Sequence, residues 1–268
     1  MAKYPYLSLL LLAVRGVLSH EAHGTTLFPR AEAGPAFTYH GATGPLNWHG
    51  LSEANAICAH GKHQSPIDIP SDTCKITPGS QLSIDIPNQP HGAEFENLGT
   101  TVEVFTNGTL TNNGKVSKLA QFHFHTPSEH SVGGKYYPLE VHFVFQAEDA
   151  TLSVVGFLID VAKWGDRLLK AVAAGLPEIQ NKGNVTHTDA LDFDKLEKHF
   201  VEYGTHQYAG SLTTPPCSEG VSWMVSCKPL TIDIDSFNAF RDVIKFNARV
   251  AQNVPGEQNL ITIAAGNL

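Results

Sequence analysis

Apolar and polar positions alternate strictly at both ends of residues 121–146, and that two-residue period predicts two β-strands. Successive side chains of a strand point to opposite faces. Gln121, His123 and His125 therefore share one face, with Phe122 and Phe124 on the other. Downstream, Glu140, His142, Val144 and Gln146 share a face, and Val141, Phe143 and Phe145 lie behind them. Pro127, Gly133, Gly134 and Pro138 punctuate the residues between, which suits two antiparallel strands joined by a long loop. If the two polar faces coincide, three imidazoles converge.

The same period recurs elsewhere. A strand begins after Pro66, residues 82–86 and 101–105 alternate, and residues 152–159 form a nearly continuous apolar run around Gly156, as in a strand covered on both faces. Helical spacing is rarer. Residues 166–174 place Leu168, Leu169, Val172 and Ala173 on one face, with Asp166 as N-cap and an end near Gly175. Asp235 and Ser236 are placed to cap a second helix carrying Phe237, Phe240, Val243 and Ile244. Residues 39–48, with Gly41, Gly44 and Pro45, read as loop. Short strands dominate, and no repeat or Pro/Gly/Ser-rich linker divides them. The predicted fold class is α+β, a single domain around a mostly antiparallel sheet.

The N-terminus departs from this pattern. Lys3, a short apolar run over 7–14 and small-residue spacing around Ser19 read as a secretory signal over residues 1–19, although Arg15 interrupts the apolar run. Residues 20–36 show no periodicity and read as a mobile arm ahead of a domain spanning 37–268. No later stretch approaches the ~18 uninterrupted apolar residues of a membrane span. With 268 residues, 42% of them apolar, the chain can bury a substantial core, and a formal charge of −8 argues against nucleic acid as a partner. Secretion agrees with two glycan-acceptor triplets, at Asn107 and Asn184, and with four cysteines, Cys58, Cys74, Cys217 and Cys227, which an oxidising compartment would pair. Three full pairings are open. A bridge from Cys58 to Cys217 would close a loop of about 160 residues, worth roughly 5 kcal/mol by the chain-entropy model.

The convergent histidines carry the chemistry. Three neutral imidazoles are the ligand set of a catalytic zinc that keeps its fourth tetrahedral position for water. Each such ring gives its other N–H to a partner that fixes its tautomer, and Gln121 beside His123 and Glu140 beside His142 are candidates. One histidine alone would read as a solvated residue on a hairpin; an H-x-H with an E-x-H on two strands points to a metal. Residues 210–217 form a second segment, in which Pro215 and Pro216 make a rigid, irregular loop presenting the hydroxyls of Thr213 and Thr214.

Taken together, Q-F-H-F-H at Gln121, S-E-H at Ser128, L-E-V-H-F-V at Leu139 and S-L-T-T-P-P at Ser211 resemble the α-class carbonic anhydrases. Gln64-Ser65-Pro66-Ile67, Tyr39, Gly44-Pro45, Trp48, Val221-Ser222-Trp223, Asn247 and Arg249 extend the resemblance over residues 37–252, in the family's order. It implies a large twisted central sheet with a few peripheral helices, and zinc-dependent hydration of carbon dioxide to bicarbonate by metal-bound hydroxide. His123, His125 and His142 match the zinc ligands. Gln121, Glu140 and a backbone carbonyl near Asn247 match the acceptors behind them. Thr213 matches the residue that orients the hydroxide and passes its own proton toward Glu129, and Thr214 one that helps hold bicarbonate. Val144, Val154, Leu212, Val221 and Trp223 match the apolar wall that receives carbon dioxide. An activated ester beside that wall would be attacked too. The partners implied are small molecules only: carbon dioxide, bicarbonate and water, in an extracellular or cell-wall space.

One position departs from the family. Its fastest members carry a histidine as proton shuttle where this chain has Thr100, and a threonine hydroxyl does not titrate near neutrality. Slow proton transfer is expected, with Glu103 or His40 as possible substitutes. A cupin-type oxygenase also uses an H-x-H followed by a glutamate, as at Glu129. That reading lacks the Pro-x-Gly expected before the later histidine and leaves residues 212–216 unexplained. A family member without activity would usually have lost a ligand histidine, and here all three are present.

Overall fold

The structure, a computed structural model, describes residues 37–266, so the expected signal segment and N-terminal arm lie outside the described residues. Thirteen strands follow in chain order: β1 (Asp68–Ile69), β2 (Leu82–Asp85), β3 (Glu94–Asn97), β4 (Val102–Val104), β5 (Thr109–Asn112), β6 (Lys115–His125), β7 (Ser131–Val132), β8 (Leu139–Ala147), β9 (Leu152–Val161), β10 (Val185–His187), β11 (Thr205–Ser211), β12 (Glu219–Ser226) and β13 (Leu230–Ile232). The helices are α1 (Ile57–His60), α2 (Arg167–Gly175), α3 (Asp194–Tyr203), α4 (Ile234–Ile244) and α5 (Leu260–Gly266). Eleven strands form one sheet with the main order β10-β3-β4-β6-β8-β9-β12-β11. Its pairings are antiparallel except where β12 and β13 run parallel to β9. The predicted α+β architecture is therefore the observed one.

Alternation splits this sheet into two chemically different faces. Phe122, Phe124, Phe143 and Phe157 point backward into one apolar cluster with Val102, Val104 and Val155. Phe122 stacks on Phe143 with ring centroids 4.8 Å apart, and Phe124 meets Phe240 of α4 at 4.5 Å. Leu168, Leu169 and Val172 of α2 and Leu196 and Phe200 of α3 join the same cluster. Burying one such side chain stabilises by about 1.5–3 kcal/mol, so the back face holds the sheet and leaves the front face available for polar groups.

Two helix expectations change. Asp166 caps α2 as expected, accepting from the Leu168 N–H at 2.9 Å. The cap of α4 is Asp233, which accepts from the Ser236 N–H at 3.0 Å, so this helix starts before the expected Asp235-Ser236 cap. The sequence reading missed α3, although Leu196 and Phe200 stand one helical turn apart and both are buried.

Both disulfides are present: Cys58 joins Cys217, and Cys74 joins Cys227, across 159 and 153 residues of sequence. No helix among the described residues is long and apolar enough to cross a membrane. Replacing Cys58 and Cys217 together by alanine should lower unfolding stability by about 3.5 kcal/mol, because with Cys74–Cys227 intact the lost bridge closes only a circuit of roughly 26 residues. Denaturant titration of the double variant checks this, and a loss below about 1 kcal/mol would show that native contacts alone hold those segments.

Candidate metal centre

Register brings the imidazoles together. β6 and β8 pair so that His123 stands opposite His142 and His125 opposite Glu140, which is the face-to-face arrangement that the alternation predicts. Ring centroids lie 5.0 Å apart for His123 and His125, 5.3 Å for His123 and His142, and 4.5 Å for His125 and His142. One nitrogen from each ring lies within 4.8 Å of the others.

Each ring uses its remaining nitrogen on a different acceptor. His123 Nδ1 meets Gln121 Oε1 at 2.9 Å, His125 Nδ1 meets the Asn247 carbonyl at 2.8 Å, and His142 Nε2 meets Glu140 Oε1 at 2.7 Å. Asn247 is itself clamped. Its side chain accepts from the Thr126 N–H and donates to the Thr100 and Phe124 carbonyls. These contacts leave His123 and His125 to offer Nε2, and His142 to offer Nδ1. His125 Nε2 is buried without a hydrogen-bond partner, as expected of a nitrogen shaped for a cation. A second grouping, His130, Glu140 and His142, also has metal-ligand spacing. There the two rings already donate to Glu140 Oε1, each at 2.7 Å, so its ligand atoms are spent on one another.

Electrostatics agree with a cation at the trio. Burial lowers the pKa of all three rings, that of His125 to about 3, which holds them in the neutral form a metal requires. Burial would raise the Glu140 carboxyl, but the neighbouring His130 and His142 and their hydrogen bonds hold it well below the usual range. Glu129 is pushed up by burial, opposed by the Arg249 N–H and the Thr213 hydroxyl. Its Oε2 lies 3.5 Å from His125 Nε2 and 4.0 Å from His142 Nδ1, so a divalent charge among the rings would also favour the carboxylate.

Beside the rings runs an apolar row. Val144 pairs with Val154, and Val154 with Trp223, across β8, β9 and β12. All three share the face of His142, as does Val221, two residues before Trp223. Gly156 stands opposite His142, where a Cβ would sit 3.3 Å from Glu140 Oε1. Leu212, Thr213 and Thr214 are buried on the loop after β11, whose ends are tied by the Leu212 N–H to the Ser218 carbonyl and the Cys217 N–H to the Thr214 carbonyl.

Thr100 lies half-buried on the turn between β3 and β4 and lines a cavity of about 520 Å³ with His40. Glu103 pairs with His123 on the front face, and burial, then the neighbouring Glu96, pushes its carboxyl up to about 8. Asn107 is exposed, whereas Asn184 is half-buried with its side-chain oxygen accepting from the Asn181 N–H. Sequence reasoning gave no role to His130, Tyr208, Ser65 or Gly156. The only signal for the last was a glycine inside a strand pattern.

Residues 43–260 match the model of the eukaryotic-type carbonic anhydrases. The chain belongs to that family. It is 35% identical over 224 residues to a carbonic anhydrase of Neisseria gonorrhoeae, covering 82% of each chain. It is 31% identical over 261 residues to alpha carbonic anhydrase 5 of Arabidopsis thaliana, covering 91% of this chain and 89% of the relative. Among solved structures, a fungal alpha carbonic anhydrase from Aspergillus oryzae superimposes with a TM-score of 0.83 at 46% identity, covering 87% of this chain and 99% of that one. Alpha carbonic anhydrases are metalloenzymes acting on carbon dioxide and water, and this one brings a buried histidine trio to the expected face of its sheet.

In the metal-free carbonic anhydrase the three rings stay neutral below their ordinary value of 6.5, while the unfolded chain takes up protons there. The unfolded state then binds more protons, so stability falls as pH drops through 6.5 and keeps falling toward the His125 value of about 3. Each ring contributes at most about 1.4 kcal/mol per pH unit. The Tm of metal-free protein should therefore drop more steeply between pH 7 and 5 than that of metal-free His125→Gln. Equal slopes would show that the ring is charged in the fold.

Proposed function

We propose that this carbonic anhydrase is a zinc enzyme, with His123, His125 and His142 as ligands, which interconverts carbon dioxide and water with bicarbonate and a proton. The observation that carries the reading is the trio itself, three neutral rings each turned by its own acceptor so that one nitrogen apiece meets within 4.8 Å. Bound there, zinc would lower the pKa of a water molecule from 15.7 to about 7 and so supply hydroxide near neutral pH.

The remaining work falls to this chain's own residues. Gln121, Glu140 and Asn247 hold the rings in one tautomer each. An ionised Glu129 can only accept, so the Thr213 hydroxyl donates its hydrogen bond to it and keeps its lone pairs for an incoming donor. Such an arrangement orients a hydroxide and disfavours anions that have no proton to give. Carbon dioxide carries no charge to grip, and Val144, Val154, Leu212, Val221 and Trp223 offer it an apolar wall. Thr214 then helps hold bicarbonate. The same site would cleave activated esters slowly.

Proton release is the slow step in this reading, because Thr100 cannot carry a proton near pH 7. The domain runs from residue 37, after a signal over 1–19 and an arm over 20–36. The two disulfides point to an oxidising compartment, which supports secretion to the extracellular or cell-wall space with glycans at Asn107 and Asn184.

Metal analysis together with a carbon dioxide hydration assay tests the centre. Chelation should abolish hydration, zinc should restore it, and His142→Ala should bind little metal and lose at least 100-fold in rate, the upper end of what losing even a partner behind a ligand costs. Zinc-free protein that hydrates undiminished, or protein that holds iron or manganese instead, would overturn the assignment. The proton step is tested separately. Turnover should rise with buffer concentration and added imidazole, and Thr100→His should raise it about 100-fold at low buffer, the low end of the range for a positioned proton-transfer group. Turnover indifferent to buffer would show that a group such as Glu103 or His40 already carries the proton.

A further inference from the structure

The cavity of about 520 Å³ that Thr100 lines is walled by residues 37–40, the turn between β3 and β4, residues 180–182 and the end of α4. Pockets of this volume hold small organic molecules. Part of the wall is apolar: Phe37, Val243, Ile244 and Phe246 line it, and Phe246 is 55% exposed, with no cover among the described residues. The charge on the lining has one sign. Tyr39 apart, its ionisable side chains are His40, Lys182 and Lys245, and no carboxylate among the described residues lines it, in a chain whose formal charge is −8. The ion pairs of Lys and Arg side chains among the described residues occupy Lys115, Lys135 and Arg241, which leaves both of these lysines without an acidic partner there.

Both lysines are held by the backbone around them. Gly99 has φ +80°, and a Cβ there would stand 2.8 Å from Lys182 Cδ and 3.0 Å from its Cγ, so the lysine stem lies over this glycine, one residue before Thr100. The loop that carries Lys182 is tied to β3 in turn. Asn97 Nδ2 donates to the Ile179 carbonyl at 2.7 Å, the Asn97 N–H to the Asn184 carbonyl at 3.0 Å, and the Gly183 N–H to the Asn97 carbonyl at 2.7 Å. Lys245 follows the last residue of α4 with φ +65° and ψ −99°, a positive-φ conformation that glycine takes freely and lysine does not. A helix C-terminus carries roughly half a negative charge. One ammonium cancels it, and Lys182 with His40 then leaves the cavity net positive.

We infer that this cavity binds a small organic phosphate, a monoester whose dianionic head meets the Lys182 and Lys245 ammonium groups and whose apolar body lies on Phe37, Val243, Ile244 and Phe246. The head follows from the donors. A lysine ammonium is a point charge with three hydrogens and no fork, which suits phosphoryl oxygens approached from any side, whereas a planar carboxylate is better matched by arginine. At neutral pH a phosphate monoester carries about 1.5 to 2 negative charges, close to what the two lysines supply. The body follows from the wall, since a bare phosphate would leave its apolar side chains in water. The cavity adjoins the histidine trio without belonging to it: the Thr100 carbonyl accepts from the Asn247 side chain at 2.9 Å, and none of the three rings lines the cavity. The inference therefore stands whether or not the trio binds zinc.

Phenyl phosphate is the probe, titrated into nitrogen-15-labelled protein with and without zinc while the backbone amide shifts are followed. The amides of Gly99, Lys182 and Lys245 should shift together and saturate, at the same Kd in both forms. Phenyl phosphate should bind about tenfold or more tightly than inorganic phosphate, which lacks the body, and than phenol, which lacks the head. Lys182→Met keeps a stem over Gly99 and removes the charge, and Lys245→Gly removes the other at a backbone that suits glycine. Each should weaken binding about tenfold, the low end for a hydrogen bond to a charged group. Phenol binding as tightly as phenyl phosphate, or both variants binding as the parent does, overturns the inference. So do shifts confined to Thr213, Thr214 and the strands of the trio, or binding seen only with zinc, either of which puts the phosphate on the metal. If one variant fails to fold, the other variant and the ranking of the probes on the parent still decide.

Discussion

Glu140 brings a negative charge into the floor of the sheet with none of its surface exposed, and everything around it is arranged to balance that charge without water. Four donors reach it: the backbone N–H groups of Glu129 and His130, both at 2.8 Å, and the rings of His130 and His142. Left unbalanced, a buried carboxylate costs several kcal/mol, a large part of the 5–15 kcal/mol that typically separates folded from unfolded domains. The requirement reaches back into the backbone. After β6 the chain must curl so that two successive N–H groups face Glu140, and that curl places Glu129 under the histidine trio. One constraint thus fixes the His142 tautomer, a neighbouring ring and the path of a loop.

The sheet can meet this constraint because its two faces are decoupled. Aromatic packing behind Phe122, Phe124 and Phe143 sets register without any help from the polar side. A slip of one residue would turn one of the two strands over, bringing its apolar side chains to the front and burying its imidazoles unpartnered behind. Hydrophobic burial therefore specifies where the three histidines point, although none of them contributes to that burial. Gly156 completes the arrangement from the far side of β8. A side chain there would crowd the Glu140 carboxylate and its contact with His142.

Local periodicity made this much legible in the sequence. The three histidines and two of their three acceptors lie within two residues of one another on single strands, and there the two-residue period leaves little choice. Contacts between distant segments were closed to the same reasoning. His130 meets Tyr208 across 78 residues, and Ser65 meets Tyr208 across 143, separations at which no spacing rule operates. The Asn247 carbonyl came only through family resemblance, since a backbone acceptor leaves no mark in residue identity. Helix α3 was lost for a different reason: Leu196 and Phe200 are its only buried apolar positions in a run of charged residues, too few to raise a helical signal.

Irregular backbone near a reaction centre raises the question of what holds it still. Residues 212–217 belong to no strand, yet they carry Thr213 and Thr214, whose hydroxyls must be in place before substrate arrives if they are to orient it. The buried Arg249 supplies much of the answer. Its guanidinium donates to the Ser65 and Cys58 carbonyls and to Gln64 Oε1, while its backbone N–H donates to Glu129 Oε1. Burial lowers its pKa to about 10, which still leaves it charged at neutral pH, with Glu129 and the surrounding carbonyls as its counterweight. Ser65 continues to Ser211 at one end of the loop, Gln64 Nε2 donates to the Cys217 carbonyl at the other, and the disulfide joins Cys217 to Cys58. These three tethers of the loop thus run back to the segment that Arg249 holds. Each carbonyl left unsatisfied by its loss would cost about 1–3 kcal/mol, so the residues that hold Thr213 and Thr214 in place are the same ones that keep this part of the molecule folded.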